Sequence, residues 1–345
     1  MRSAEITAPG RVEIVGRPRP QGRLGAGEVR VRMLAVGICG TDLALLSGRR
    51  TPPEHPWRLG HEGIGEIAEV GPGTVGLTVG DRVALEPNIT CGDCEHCRRG
   101  TTSACLVRRS AGVLTQPGFL AEVIDHPSEF CHRIDPAVPL ERAVCAEPLA
   151  VTAAAIRRSQ VRVGAEVLVI GAGAQGLLSI SILIAQGHRP FVSEPDRRRR
   201  ELAVDLGARV FEPGLSPAPE FVIDAAGVPE ALGSVVHHLA PFASVTLVGE
   251  DHHHLGASSF DIVQKQLRIA GSFIYEHPQD MAAAVNLLAE VRAERILAPA
   301  TALEDLPGLL GGQDAARDGS APAAPAGPAG RAGPAGIKQW VDLRR

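Results

Sequence analysis

Leu59-Gly60-His61-Glu62-Gly63 sets an imidazole and a carboxylate side by side, just after a proline-rich stretch (Pro52, Pro53, Pro56). A borderline ion such as Zn²⁺ accepts both donor types. Alone, the pair is more often an ordinary surface turn than a metal ligand. Two further residues raise the metal reading: Cys39, in Val36-Gly37-Ile38-Cys39-Gly40-Thr41-Asp42, and Glu147, in Cys145-Ala146-Glu147-Pro148-Leu149. A lone Cys39 would read as a small buried apolar residue. With His61, Glu62 and Glu147 it joins a set of mixed S, N and O donors. Three protein ligands with an open position describe a catalytic zinc rather than a structural one. Thr41, two residues beyond the cysteine, would set a hydroxyl beside the oxygen on the metal.

A second set is more compact. Cys91-Gly92-Asp93-Cys94-Glu95-His96-Cys97 is followed after seven residues by Cys105. Two-residue spacers let successive sulfurs face one tetrahedral ion, and Gly92 and Gly100 permit the turns. Structural zinc is the economical reading, with an iron–sulfur centre as the minor alternative. Four unrelated thiols would leave reactive groups exposed in a polar segment. His96 reads as a surface residue, because four sulfurs already saturate the ion.

The third signal is a phosphate cradle. Glu166-Val167-Leu168-Val169-Ile170 suits a buried parallel strand and leads into Gly171-Ala172-Gly173-Ala174-Gln175-Gly176, then an apolar stretch over 177–186 that reads as a helix. Between strand and helix, a G-x-G-x-x-G becomes a strong dinucleotide signal. Gly171 allows the tight turn, Gly173 lets a pyrophosphate approach, and Gly176 lets helix pack on strand; Gln175 lies inside the motif. The helix N-terminus faces the phosphates. Glu194 ends the next strand, eighteen residues past Gly176. A carboxylate there accepts from ribose hydroxyls and repels a 2′-phosphate, which favours NAD. One arginine of Arg197-Arg198-Arg199-Arg200 could still accommodate NADP; the plainer reading of that run is a solvated helix face.

These sites need two kinds of scaffold. From residue 12 to 36 the chain reads as short strands broken by Gly and Pro, and Glu28-Val29-Arg30-Val31-Arg32-Met33 alternates as a half-buried strand does. With further short runs at 65–70 and 81–85, this predicts a β-rich, barrel-like domain. Beyond residue 166, strands at 190–193, 210, 221–225 and 244–249 alternate with helices over 200–207 and 230–239, which predicts an α/β doubly wound parallel sheet. The connection 212–220 holds three prolines and lacks a crossover helix. A helix over 278–292 precedes 295–298, where the chain should return to the first domain. Residues 311–336 are dominated by Ala, Pro and Gly and read as a disordered insertion. Residues 337–343 regain strand character and complete the first domain. The expected division is 1–149, with the cysteine lobe at 91–105, then 150–290, then 291–345.

Composition narrows the function. The chain has 345 residues, too many for one small core, and 44% of them are apolar, as in a soluble globular protein. A net charge of −4 and 3% aromatics argue against a nucleic-acid surface. No apolar run is long enough to span a membrane, and no secretory signal is evident, so a cytoplasmic protein is expected. Seven cysteines, an odd number, do not suggest a disulfide framework. Asp251-His252-His253-His254 reads as a solvated loop beside a cofactor cleft rather than a metal site.

Taken together, Gly37-Ile38-Cys39-Gly40-Thr41-Asp42, Gly60-His61-Glu62, the four-cysteine lobe, Glu147-Pro148 and the 171–176 glycine motif resemble the zinc-dependent medium-chain dehydrogenases, closest to the polyol (sorbitol-like) and threonine dehydrogenase branches. The resemblance runs from about residue 12 to 273, plus the last strand. It implies a GroES-like β-rich catalytic domain with a catalytic zinc in a cleft against a Rossmann nucleotide domain. It implies Cys39, His61 and either Glu147 or Glu62 as ligands, and Glu194 and Arg199 around the adenosine ribose. Glutamate at 147 resembles the polyol and threonine branches. Two departures stand out. Ala44 occupies the place of a proton-relay histidine, and the insertion replaces the domain-closing helix expected around 305–330. The expected activity is oxidation of a secondary alcohol or polyol/cyclitol to the ketone, with two zinc ions per chain and NAD. A homo-oligomer, dimer or tetramer, is expected. Alternatives are a threonine-type amino-alcohol dehydrogenase and a catalytically lapsed zinc- and nucleotide-binding relative.

Overall fold

The computed structural model describes residues 1–250, 254–311 and 337–345. The Ala/Pro/Gly insertion beyond Gly311 and residues 251–253 of the histidine run lie outside them. The chain divides into two compact units. The first holds Met1–Glu147, His277–Ala289 and Leu297–Arg345; the second holds Pro148–Glu276 and Glu290–Ile296.

In the first unit the long strand Glu28–Gly37 is the spine. It pairs antiparallel with Glu62–Val70, Val123–Pro127 and the C-terminal strand Trp340–Asp342. Arg82–Leu85 and Cys131–Arg133 extend the sheet on one side, and Thr301–Ala302 pairs with the last strand on the other. The alternation of this strand is less clean than its sequence suggests. Val29, Val31 and Met33 face the core, but Arg30 is buried too, because strands flank it on both sides. Asp125 receives its guanidinium at 2.8 and 3.1 Å and Glu69 at 3.0 Å, so the charge is paired where it is desolvated.

Residues 277–289 were expected with the nucleotide domain; they lie instead in the first unit. Met281 and Ala284 of helix Gln279–Leu287 are buried, and the helix packs on strand Cys131–Arg133. Leu306–Gly311 is a brief helix whose Leu306 and Leu310 enter the first core.

The second unit is a six-stranded parallel sheet in the order Arg209–Val210, Phe191–Ser193, Val167–Ile170, Phe221–Asp224, Ser244–Leu247, Arg268–Gly271. Val167–Ile170 is buried along its whole length, as a central parallel strand covered on both faces must be. No helix bridges Arg209–Val210 to Phe221–Asp224, in keeping with the proline-rich connection. The helix expected over 230–239 breaks into Pro229–Gly233 and a 3₁₀ turn, Val236–His238. Gly233 and the β-branched pair Val235-Val236 favour that interruption. Among the described residues no helix is long and apolar enough to cross a membrane.

Candidate active site

The sheet of the first unit ends where chemistry becomes possible. Cys39 follows the spine strand and precedes helix Gly40–Leu46; Glu62 opens strand Glu62–Val70, with His61 immediately before it. Each offers one ligand atom within 4.8 Å of the others. The buried carboxylate of Asp42 ties the two loops together. Its oxygens accept from the Cys39 N–H at 2.8 Å and the Gly60 N–H at 3.1 Å, and Oδ1 lies 3.5 Å from His61 Nδ1. Burial alone would raise the pKa of Asp42, but His61 and the two N–H groups outweigh it and hold the pKa low. An ionised carboxylate 3.5 Å from Nδ1 favours a proton on that nitrogen, which would leave Nε2 as the donor to a cation. Asp42 has no role in the sequence reading, although an acid three residues after a candidate cysteine ligand was an available signal.

Lys338 was also missed. Its Nζ lies 2.8 Å from Glu62 Oε1 in hydrogen-bond geometry and 2.5 Å from Oε2 without that alignment, and it donates to the Ile38 carbonyl at 3.2 Å. Both side chains are almost wholly buried. Burial pushes the ammonium towards neutrality, but the Glu62 carboxylate outweighs it and keeps Lys338 charged. Gly37 makes room for this pair: a Cβ there would meet Glu62 Oε2 at 2.0 Å. Glu147, buried in the first turn of helix Ala146–Ser159, is not among the three converging donors. Thr41 is half-buried in the first turn of helix Gly40–Leu46.

The four sulfurs of Cys91, Cys94, Cys97 and Cys105 also converge within 4.8 Å. Cys91 Sγ lies 3.6 Å from Cys105 Sγ and 3.9 Å from Cys97 Sγ. Zinc–sulfur bonds of about 2.3 Å in a tetrahedron put sulfurs about 3.8 Å apart, so the donor set fits zinc. Backbone N–H groups of Cys91 and Cys94 point at Cys105 Sγ and Cys91 Sγ, at 3.5 and 3.4 Å, as they would to stabilise thiolates.

In the second unit the loop after Val167–Ile170 has the shape a dinucleotide needs. Gly171 has φ +86°, and a Cβ on Gly176 would meet the Gly171 carbonyl at 1.9 Å. A Cβ on Gly173 would meet nothing within 4 Å, so the space beside it is open. Gln175 Oε1 accepts from the Thr152 hydroxyl at 2.5 Å. Glu194 Oε2 accepts from the Ala172 N–H at 2.7 Å, and Oε1 from the Asp196 N–H at 2.9 Å, which sets the carboxylate against the glycine loop. Asp196 caps helix Arg197–Asp205 by accepting from the Arg199 N–H. Arg200 braces the backbone here, donating to the Glu194 and Pro195 carbonyls.

Comparison with known proteins bears on what this arrangement is for. The alcohol dehydrogenase GroES-like domain matches residues 25–136, and the zinc-binding dehydrogenase domain matches 174–290. An L-threonine 3-dehydrogenase of Pyrococcus horikoshii is 36% identical over 67% of this chain and 70% of its own length. A sorbitol dehydrogenase of Arabidopsis thaliana is 31% identical over 74% of this chain and 76% of its own. The crystal structure of galactitol-1-phosphate dehydrogenase from Escherichia coli superposes with a TM-score of 0.86 at 26% identity, covering 99% of this chain and all of that one.

Proposed function

The chain belongs to the zinc-type medium-chain dehydrogenases, and we propose on that premise that it oxidises a secondary alcohol, polyol or cyclitol to the ketone with NAD. The supporting observation is the convergence of Cys39 and His61, with Glu62 beside them, on loops joined by buried Asp42. When bound there, zinc supplies Lewis acidity that lowers the pKa of a substrate hydroxyl towards neutrality.

The chain's own groups do the rest. Cys39 and His61 are the thiolate and imidazole ligands, with Asp42 holding the imidazole in the right tautomer. Lys338 occupies Glu62, which favours Glu147 as the third ligand and leaves Glu62 as a carboxylate in reserve. Thr41 takes the substrate's hydroxyl proton and passes it towards solvent. NAD, held by the 171–176 glycine loop and Glu194, would supply the hydride acceptor. Glu194 receives the ribose hydroxyls, exchanging its present bonds to backbone N–H groups, and its charge disfavours a 2′-phosphate. A lapsed relative would not need to retain Cys39, His61 and both glutamates, so the catalytic reading is preferred.

The relative from Pyrococcus supports a second substrate class, amino alcohols of the threonine type. One assay separates the two. Purified enzyme is given NAD or NADP with a panel of polyols, cyclitols, simple secondary alcohols and L-threonine. NADH is expected from a polyol or secondary alcohol, with at least tenfold weaker use of NADP. Turnover confined to L-threonine would transfer the assignment to the amino-alcohol class.

A further inference from the structure

Glu86, His132 and His277 form a third convergence of ligand-type side chains, unrelated to the two sites above. Glu86 directly follows strand Arg82–Leu85, and its N–H donates to the Phe130 carbonyl at 2.8 Å. His132 lies in the neighbouring strand Cys131–Arg133, opposite Ala84. His277 comes from far along the chain, immediately before helix Gln279–Leu287. Its N–H donates to Thr102 Oγ1 at 2.7 Å, and its ring rests on Phe130 with centroids 4.3 Å apart. All three donors are therefore held from independent elements.

His132 Nε2 is 2.9 Å and His277 Nδ1 2.8 Å from the same oxygen, Glu86 Oε2. The other oxygen, Oε1, is buried with no hydrogen-bond partner among the described residues. A carboxylate arranged only for hydrogen bonding would spread two donors over two oxygens rather than strand one of them in the interior. Convergence on one point suits a cation. Imidazole and carboxylate bonds of about 2.0–2.1 Å meeting near a right angle, as in the five- or six-coordinate sites open to divalent transition metals, put adjacent donors about 2.9 Å apart. Access exists as well, since His132 lines a surface cleft with Leu77, Ser128, Glu129, Arg133 and Asn286.

We infer that Glu86, His132 and His277 bind a divalent transition-metal ion of the zinc class, with the open side completed by water. This ion would clamp the segment entering helix Gln279–Leu287 to the sheet of the first unit. It takes no part in the dehydrogenation, and the inference does not depend on that assignment.

The test is metal stoichiometry of the full-length enzyme. Chain stripped with chelator is titrated with Zn²⁺, desalted and analysed for zinc per chain. Wild type should retain about one equivalent more than H277Q and than H132Q/H277Q. Equal zinc content in wild type and variants would overturn the inference. Should the variants also lose the zinc of the cysteine lobe, and so report misfolding, wild-type crystals soaked in Zn²⁺ decide the matter. An anomalous zinc peak between Glu86, His132 and His277 supports the site, and its absence refutes it.

Discussion

At the scale of single residues, the carboxylates set both the stability of the centre and its ligation. Lys338 and Glu62 are a buried pair, so removing one partner strands the other charge. Lys338→Met should destabilise the protein by about 3–5 kcal/mol, and Glu62→Gln/Lys338→Met should recover most of that loss. Thermal unfolding of the three proteins measures it; a single variant as stable as wild type would contradict the pairing. The same pair leads to a prediction about ligation. Glu147→Gln should lose one zinc equivalent, while Glu62→Gln retains it, as read by zinc analysis. In the second unit, Glu194→Gln removes a charged acceptor, worth about 1.5–3 kcal/mol. The KM for NAD should rise about ten- to a hundredfold in steady-state assays while zinc content stays constant. These residues differ in how visible they were. Cys39, His61 and the cysteine lobe announce themselves by type and spacing. Lys338 does not, because the strand that delivers it pairs with residues some 300 positions earlier, and nothing local marks a lysine as buried.

Elements show the same division between local and distant causes. The glycine motif was legible because each glycine answers a local steric demand. Gly176→Ala, whose Cβ would meet the Gly171 carbonyl at 1.9 Å, should abolish nucleotide binding in a fluorescence titration while both zinc sites stay loaded. Helices were less legible at their ends. The one expected over 230–239 yields to Gly233 and to β-branched residues, and the one expected over 278–292 closes at Leu287. Strand Val123–Pro127 brings a buried histidine into the sheet. His126 donates through Nε2 to the Glu86 carbonyl, and burial pushes its pKa down to about 4. Since the folded pKa lies below the unfolded value of about 6.5, the unfolded chain takes up the proton first as pH falls. Stability contributed by neutral His126 is thus complete above about pH 6.5 and is lost progressively towards pH 4, by up to about 3 kcal/mol. His126→Asn should show a smaller fall in melting temperature between pH 7 and 4.5 than wild type; equal falls would remove His126 as the cause.

For the whole molecule, the sequence already supplied two scaffolds and their order, because periodicity and glycine placement are local properties. It misplaced residues 277–289, which lie with the first unit although they follow the strands of the second. A helix that buries Met281 and Ala284 gives no sign in sequence of which core it enters. The central claim is that this member of the zinc-type dehydrogenases oxidises a CH–OH group at the centre that includes Cys39. Cys39→Ser tests it most directly, with NADH formation and zinc content measured on the same preparations. The variant should lose one zinc equivalent, keep the zinc of the cysteine lobe, and form NADH at least a hundredfold more slowly. Undiminished NADH formation by a variant lacking that zinc would contradict it.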